Sequence, residues 1–352
     1  NDVVVMLDLL QSLGVQIETD GVGTVYVRAH NLIGWEAPYT LVNRMRASVL
    51  IMGPLLARLG RARISLPGAD VIANHGYVEA SAKQLRGANI YLDYPSVGAT
   101  ENIMMAATLA KGTTVLENAA AEPEIVNLAD YLNKMGARIT GAGTDRIEIS
   151  GVDELVGVSH TIIPDRIEAA TYLIAAVLGQ GEVTISPVDC SSLRSALAKL
   201  CEAGCNIKSK AEQQLVVRPI SRLQALDVQT LPYPGFPTDL QPQLMAMLTQ
   251  ATGASLITET VFENRFQHVA ELGRMGAQIK VIGRQALVRG PTKLTGTTVT
   301  ATDLRAGAAL VLAGLIAEGQ TIVSEAFHID RGYVQIVEKL RGLGAEIERL
   351  DN

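Results

Sequence analysis

Five times along the 352-residue chain, a glycine is followed by a small residue, a variable one and isoleucine. These are Gly14-Val-Gln-Ile17, Gly136-Ala-Arg-Ile139, Gly204-Cys-Asn-Ile207, Gly276-Ala-Gln-Ile279 and Gly344-Ala-Glu-Ile347. Each follows an amphipathic stretch of helical period and leads into a strand, a turn and a second strand. A glycine just past a helix suits the left-handed conformation that a Cβ would crowd. Between these units lie longer segments, 45–64, 100–116, 170–185, 240–257 and 304–323, each an apolar helix closed by glycine and a β-rich strand. A helix apolar on nearly every side is buried between layers.

Measured between the recurring glycines, the repeat is 68 residues (136 to 204), then 72 (204 to 276), then 68 (276 to 344). That is the size of a βαβαββ module. Six modules make two three-module domains, here 1–163 and 164–352. The expected class is therefore α/β, built from repeated units.

The same spacing exposes a shortfall. The two kinds of glycine lie 24 (112 to 136), 23 (181 to 204), 23 (253 to 276) and 25 (319 to 344) residues apart, but Gly60 and Gly68 only 8. One helix, about 15 to 20 residues, is expected to be missing between Leu66 and Ala69. The first module starts at its second half, which implies a further stretch before Asn1. A tight natural connection is the alternative, although strands running parallel need a crossover.

Composition narrows the partners. With 48% hydrophobic and 19% charged residues the chain can fill large cores, and its net charge of −6 leaves no basic footprint for nucleic acid. Apolar runs such as Ala308–Ala317 fall short of the roughly 18 residues of a membrane span. Cys190, Cys201 and Cys205 fit no disulfide framework, and no signal peptide opens the sequence. A cytoplasmic protein with small-molecule partners, no cofactor and no metal is expected. Cys201 and Cys205, four apart, read as buried thiols, because no His or carboxylate cluster accompanies them at ligand spacing.

Several apolar helices open with a capping residue: Ser96, Asp165 in Pro164-Asp-Arg166, Thr238-Asp239, and Thr302-Asp303 ahead of Arg305. Parallel helices with their positive ends facing one cleft attract phosphate and carboxylate, although plain capping explains any single case. Arg46, Arg265, Arg305 and Arg331 are expected at helix starts or just after strands, where a guanidinium can grip such an anion with two bonds. Asp239 is open to two readings, a general base or a cap. His328 reads as structural.

The segments Met45-Arg-Ala-Ser48, Pro95-Ser-Val-Gly-Ala-Thr100, Glu117-Asn-Ala-Ala120 with Glu122-Pro-Glu-Ile125, Phe236-Pro-Thr-Asp239, Glu259-Thr-Val-Phe-Glu-Asn-Arg-Phe266, Ala301-Thr-Asp-Leu-Arg-Ala306 and His328-Ile-Asp-Arg-Gly332 resemble the UDP-N-acetylglucosamine 1-carboxyvinyltransferase family from end to end. The resemblance implies the two-domain inside-out α/β barrel of enolpyruvyl transferases, with phosphoenolpyruvate and UDP-N-acetylglucosamine held between the domains. It implies that Asp239 takes the proton of the sugar hydroxyl, that Arg305 and Arg331 hold phosphoenolpyruvate or the transition state, and that Asp303 steadies the protonation chemistry. Pro95, Ser96, Val97, Gly98, Arg46 and Val261 match nucleotide-sugar positions, with Arg265 in the same wall. The implied process is the first committed step of peptidoglycan synthesis, with its ties to cell shape and division.

Two parts of the family pattern are absent: a Lys-Asn pair ahead of Asn1, and a loop bearing the catalytic cysteine and an Arg-Pro-Val-Asp stretch, which belongs where Gly68 meets Ala69. None of the three cysteines matches the loop cysteine. The chain is therefore expected to be inactive or nearly so. The alternative is a noncatalytic relative that binds a UDP-sugar or a protein. Sister enzymes acting on shikimate-3-phosphate share the architecture but not the motifs at 236–239 and 259–266.

Overall fold

The computed structural model describes residues 2–21, 23–42, 45–65 and 76–350, with the side chain of Arg46 left outside. It divides into two compact units, Asn1–Ile162 and Ile163–Asn352.

The first unit runs α1 (Asp2–Ser12), β1 (Gln16–Thr19), β2 (Val25–Arg28), β3 (Glu36–Ala37), α2 (Tyr39–Val42), α3 (Met52–Leu59), β4 (Arg61–Ser65) and β5 (Tyr77–Ser81). It continues with β6 (Asn89–Tyr91), α4 (Val97–Ala107), β7 (Thr113–Glu117), α5 (Pro123–Lys134), β8 (Arg138–Thr140) and β9 (Arg146–Ser150). The second runs α6 (Arg166–Leu178), β10 (Val183–Ile185), α7 (Arg194–Glu202), β11 (Asn206–Ala211), β12 (Gln214–Arg218), β13 (Val228–Gln229), α8 (Gln241–Leu248) and β14 (Gly253–Thr258). Then come α9 (His268–Arg274), β15 (Gln278–Ile282), β16 (Gln285–Gly290), β17 (Thr298–Thr300), α10 (Leu304–Gly314), β18 (Ile322–Ser324) and α11 (Ile336–Gly342).

The repeat is visible in the sheets. Order β6-β7-β9-β8 in the first unit matches β13-β14-β16-β15 in the second, each with one parallel pair followed by two antiparallel ones. The other described sheets, β1-β2, β3-β4-β5, β10-β12-β11 and β17-β18, are parts of the same pattern. Each amphipathic helix α1, α5, α7, α9 and α11 stops two residues before its repeat glycine, and all five glycines are left-handed, at φ between 91° and 105°. These positions need glycine because any side chain there is strained.

The apolar helices of the second unit are buried as expected: all eight residues of α8, ten of thirteen in α6 and eight of eleven in α10. In the first unit the expectation fails. Only Gly53 and Leu55 of α3, and Thr100, Met104 and Ala107 of α4, are buried. The two helices do press closely together, since a Cβ at Gly53 would collide with the Asn102 backbone, and the Asn102 side chain accepts from Gly53 N at 2.6 Å.

The Gly68–Ala69 junction, where a helix is expected to be missing, lies outside the described residues. Strand β4 pairs antiparallel with β5, Arg61 opposite Ser81, so those two strands need no crossover. In the neighbouring module the equivalent pair β7 and β9 has α5 and β8 between its strands, and only residues 66–76 stand between β4 and β5 here. Among the described residues no helix is long and apolar enough to cross a membrane.

Candidate active site

The chain end of β13 leads through Phe236-Pro-Thr into a short 3-10 turn, Thr238–Leu240, that opens α8. Neither Thr238 nor Asp239 caps that turn, which corrects the capping expectation and closes the alternative for Asp239. The Asp239 carboxylate instead lies between two guanidiniums. Arg265 Nη2 donates to Oδ1 at 2.7 Å, and Arg305 Nη2 donates to Oδ2 at 3.1 Å. Arg265 and Arg305 keep only 9% and 14% of their side-chain surface, whereas Asp239 keeps 42%, so a molecule in solvent can reach the carboxylate.

The site's electrostatics follow from that arrangement. Burial pushes the Asp239 carboxyl up, but Arg305, then Arg265, and Arg166 as well, outweigh it and hold the carboxyl below the ordinary range. Burial pulls the Arg305 guanidinium down, and Asp239 and Tyr333 more than offset it. The pair is fully charged at neutral pH.

Three elements position the arginines. Asp303 caps α10 by accepting from Arg305 N at 2.8 Å and Ala306 N at 3.0 Å, which fixes where the Arg305 side chain starts. Tyr333 OH accepts from Arg305 Nη1 at 3.3 Å and is shared with Thr171 Oγ1 at 3.0 Å and Gln243 Nε2 at 3.1 Å, tying the charge to α6 and α8. Arg265 opens a 3-10 turn, Arg265–Gln267, stacks 4.5 Å over Phe262 and donates from Nε to Thr238 Oγ1 at 3.2 Å. Its carbonyl meets His268 Nδ1 at 3.0 Å; burial lowers the His268 pKa to about 4, so the ring is neutral.

Arg331 is at the end, not the start, of the 3-10 turn Ala326–Arg331, which corrects its expected position. Gly307 lets that turn reach α10: a Cβ there would stand 2.5 Å from Ile329 Cγ1. Arg349 binds Asp330 through both carboxylate oxygens, at 3.0 and 2.7 Å. His328 rests against Phe327, with ring centroids 4.2 Å apart.

In the first unit Ser96 caps α4, accepting from Ala99 N at 3.4 Å, and Pro95, Val97 and Gly98 are half-buried beside it. Arg46 begins a 3-10 turn, Arg46–Ile51. Val261 lies four residues before Arg265 in the chain, and its amide donates to Glu259 Oε1 at 2.9 Å. Glu259, Tyr333 and His268 were not singled out in the sequence, although Glu259 opens one of the family-like segments and Tyr333 lies two residues past Arg331.

The thiols need a correction. Cys205 is buried, its pKa pushed up to about 12 by that burial, but Cys201 is exposed. Helix α7 turns Ala196 and Leu200 inward, so Cys201 faces out, and the left-handed Gly204 brings the next residue back to the core. Among the described residues no three His, Cys, Asp or Glu side chains gather as a metal site.

The family model for EPSP synthase (3-phosphoshikimate 1-carboxyvinyltransferase) matches residues 1–75 and 67–340. UDP-N-acetylglucosamine 1-carboxyvinyltransferase 2 of Carboxydothermus hydrogenoformans is 55% identical over 372 residues, covering 100% of this chain and 88% of its own length. UDP-N-acetylglucosamine 1-carboxyvinyltransferase 1 of Caldanaerobacter subterraneus is also 55% identical, covering 99% and 88%. The chain belongs to the UDP-N-acetylglucosamine 1-carboxyvinyltransferase family. It is a transferase, and these names give the noncatalytic alternative no support.

The solved enolpyruvyl transferase NikO from Streptomyces tendae superposes on this transferase with a TM-score of 0.90 at 28% identity, covering 98% of this chain and 87% of NikO. EPSP synthase from Acinetobacter baumannii gives 0.74 at 18%, covering 98% and 88%, a likeness of fold. Both bear out the enolpyruvyl transferase architecture expected for this carboxyvinyltransferase. The two family-model matches overlap at residues 67–75. The alignment of 372 residues exceeds the chain's 352, so the first relative carries at least 20 residues that the chain lacks within the matched stretch.

Proposed function

We propose that the chain transfers the enolpyruvyl group of phosphoenolpyruvate to the 3-hydroxyl of UDP-N-acetylglucosamine, in peptidoglycan synthesis in the cytoplasm. The observation that carries this reading is the Asp239 carboxylate held, partly open, between Arg265 and Arg305. A base and cations for an anionic substrate are thereby in one place.

In this reading Asp239 accepts the proton of the sugar hydroxyl as its oxygen adds to C2 of the enolpyruvate, while C3 takes a proton from solvent and becomes a methyl group. The tetrahedral product then gives up one C3 proton to solvent as the C2–O bond to phosphate breaks, releasing inorganic phosphate and restoring the double bond. Arg305 and Arg331 hold the phosphate and carboxylate charge, and Asp303 keeps Arg305 aimed through its backbone. Arg46, Pro95, Ser96, Val97 and Gly98 take the nucleotide sugar, with Val261 and Arg265 as the wall near its acceptor end.

A carboxylate between two arginines is a poor base, because its charge is already well stabilised. An arriving anion competes for Arg305, and as that guanidinium turns to the phosphate or carboxylate, Asp239 regains basicity. Loading the site thus prepares the base.

Turnover is expected to be several orders of magnitude below that of relatives with the full loop, since a cysteine acid and loop cations matched by no residue here are part of the family pattern. The test is inorganic phosphate release at high protein concentration. Slow release that requires both phosphoenolpyruvate and UDP-N-acetylglucosamine, and disappears in Asp239→Asn, supports the reading. Release with shikimate-3-phosphate as acceptor, or undiminished release in Asp239→Asn, overturns it.

A further inference from the structure

Glu259 is a buried carboxylate, 2% exposed, held by two hydroxyl and two amide donors. Its Oε1 accepts from Thr230 Oγ1 at 2.7 Å and from the amides of Val261 and Phe262, both at 2.9 Å. Its Oε2 accepts from Thr238 Oγ1 at 3.0 Å. A glutamate so far from water is costly unless its lone pairs are filled, and these four donors fill them. Every one of the four serves a segment that meets the site.

Thr238 immediately precedes Asp239, and its hydroxyl oxygen accepts from Arg265 Nε. Val261 and Phe262 form the wall, and Phe262 lies under the Arg265 guanidinium. Thr230 also accepts from Thr260 N at 3.0 Å, so β13, the turn before α8 and the loop after β14 converge on one side chain. A neutral, shorter side chain would leave two loop amides and two hydroxyls without an acceptor.

We propose that Glu259 is a positioning residue that fixes the acceptor-side wall, Val261–Phe262, in register with Asp239 and Arg265, and so sets the distance between the nucleotide sugar and the base. This rests on the substrate reading above and adds to it the part that holds the wall. Two halves of the side chain do different things: Oε1 orders the loop, and Oε2, through Thr238, aligns Arg265 with Asp239.

The test compares Glu259→Ala and Glu259→Gln with the unaltered chain by three measurements. Amide hydrogen exchange at Val261 and Phe262 reads the loop. The 13C shift of the Asp239 carboxyl against pH reads its pairing with Arg265, with Arg305 and Arg166 as the other cations facing it. Calorimetric titration with UDP-N-acetylglucosamine reads the wall.

Glu259→Ala is expected to speed exchange at both amides more than tenfold, move the Asp239 titration upward and weaken the nucleotide sugar about tenfold or more. Glu259→Gln keeps an oxygen for the loop and an amide that can donate to Thr238, so it is expected within about threefold of the unaltered chain in exchange and binding. Should Glu259→Ala fail to fold, Thr238→Val removes the Oε2 arm together with the Thr238–Arg265 bond through which it acts, and is expected to move the Asp239 titration while sparing the two amides. An Asp239 titration unchanged in Glu259→Ala or Thr238→Val overturns the proposal, as does a Glu259→Gln chain no better than Glu259→Ala. If the unaltered chain does not bind the nucleotide sugar, the substrate reading fails, and the exchange and titration still decide the role of Glu259.

Discussion

The apolar helices of the two units have similar sequences and opposite fates. In the second unit, α6, α8 and α10 bury nearly every residue within one continuous core. In the first, α3 and α4 bury a face each, and the core is split between a cluster around α4, α5, β7 and β9 and another around α1, α3 and β4. Apolar composition alone therefore does not bury a helix; neighbours on every side do. The fully packed unit is also the one that holds Asp239, Arg265 and Arg305, and its interior hydroxyls and amides reach them through Tyr333. Charged groups with depressed or raised pKa values need a surround that does not relax around them, and the second unit supplies it.

The largest difference between the units should come from truncation. Leu244→Ala in α8, at 0% exposure, is expected to cost about 2–5 kcal/mol, against about 1–2 kcal/mol for the half-buried Leu56→Ala in α3. Urea unfolding of the two variants measures both, and equal costs would break the comparison. Next in size, Tyr333→Phe removes the hydroxyl that Thr171, Gln243 and Arg305 share, for about 1–3 kcal/mol in the same assay. No loss there would mean that the polar core does not brace the site.

A pH series sharpens the point. His268 is buried and neutral, with a folded pKa of about 4 against an ordinary 6.5. The unfolded chain then binds the extra proton between those values, so stability rises with pH across that window and is complete above it. The slope reaches about 1.4 kcal/mol per pH unit, and His268→Asn should flatten it. The smallest effects belong to exposed pairs. Removing Glu18 from Arg28 in the first unit, or Glu182 from Arg218 in the second, should change stability by about 0.5 kcal/mol or less in either, because solvent screens both. A clear difference between those two would show that the units differ at their surfaces as well.

The repeat was legible because glycine at a left-handed helix end is a local requirement, and Gly14, Gly136, Gly204, Gly276 and Gly344 meet it wherever their module falls. The capping of α4, α6 and α10 by Ser96, Asp165 and Asp303 was legible for the same reason. Asp239's partners were not: Arg265 and Arg305 come from 26 and 66 residues away, and only the assembled core brings them to one carboxylate. Glu259 stayed hidden since a glutamate is ordinarily a surface residue, and nothing local marks the two hydroxyl donors, Thr230 and Thr238, that lie 29 and 21 residues away. Cys201 was misread because a four-residue spacing says that two thiols share a side, whereas the chain turns at Gly204 between them.

In the proposed mechanism an incoming anion draws Arg305 away from Asp239 and so restores the base. Calorimetric titration of phosphoenolpyruvate near pH 5, repeated in buffers of different ionisation enthalpy, measures the protons taken up on binding. The prediction is binding with net proton uptake that vanishes in Asp239→Asn. Uptake that survives that substitution, or binding with no uptake at all, would contradict it.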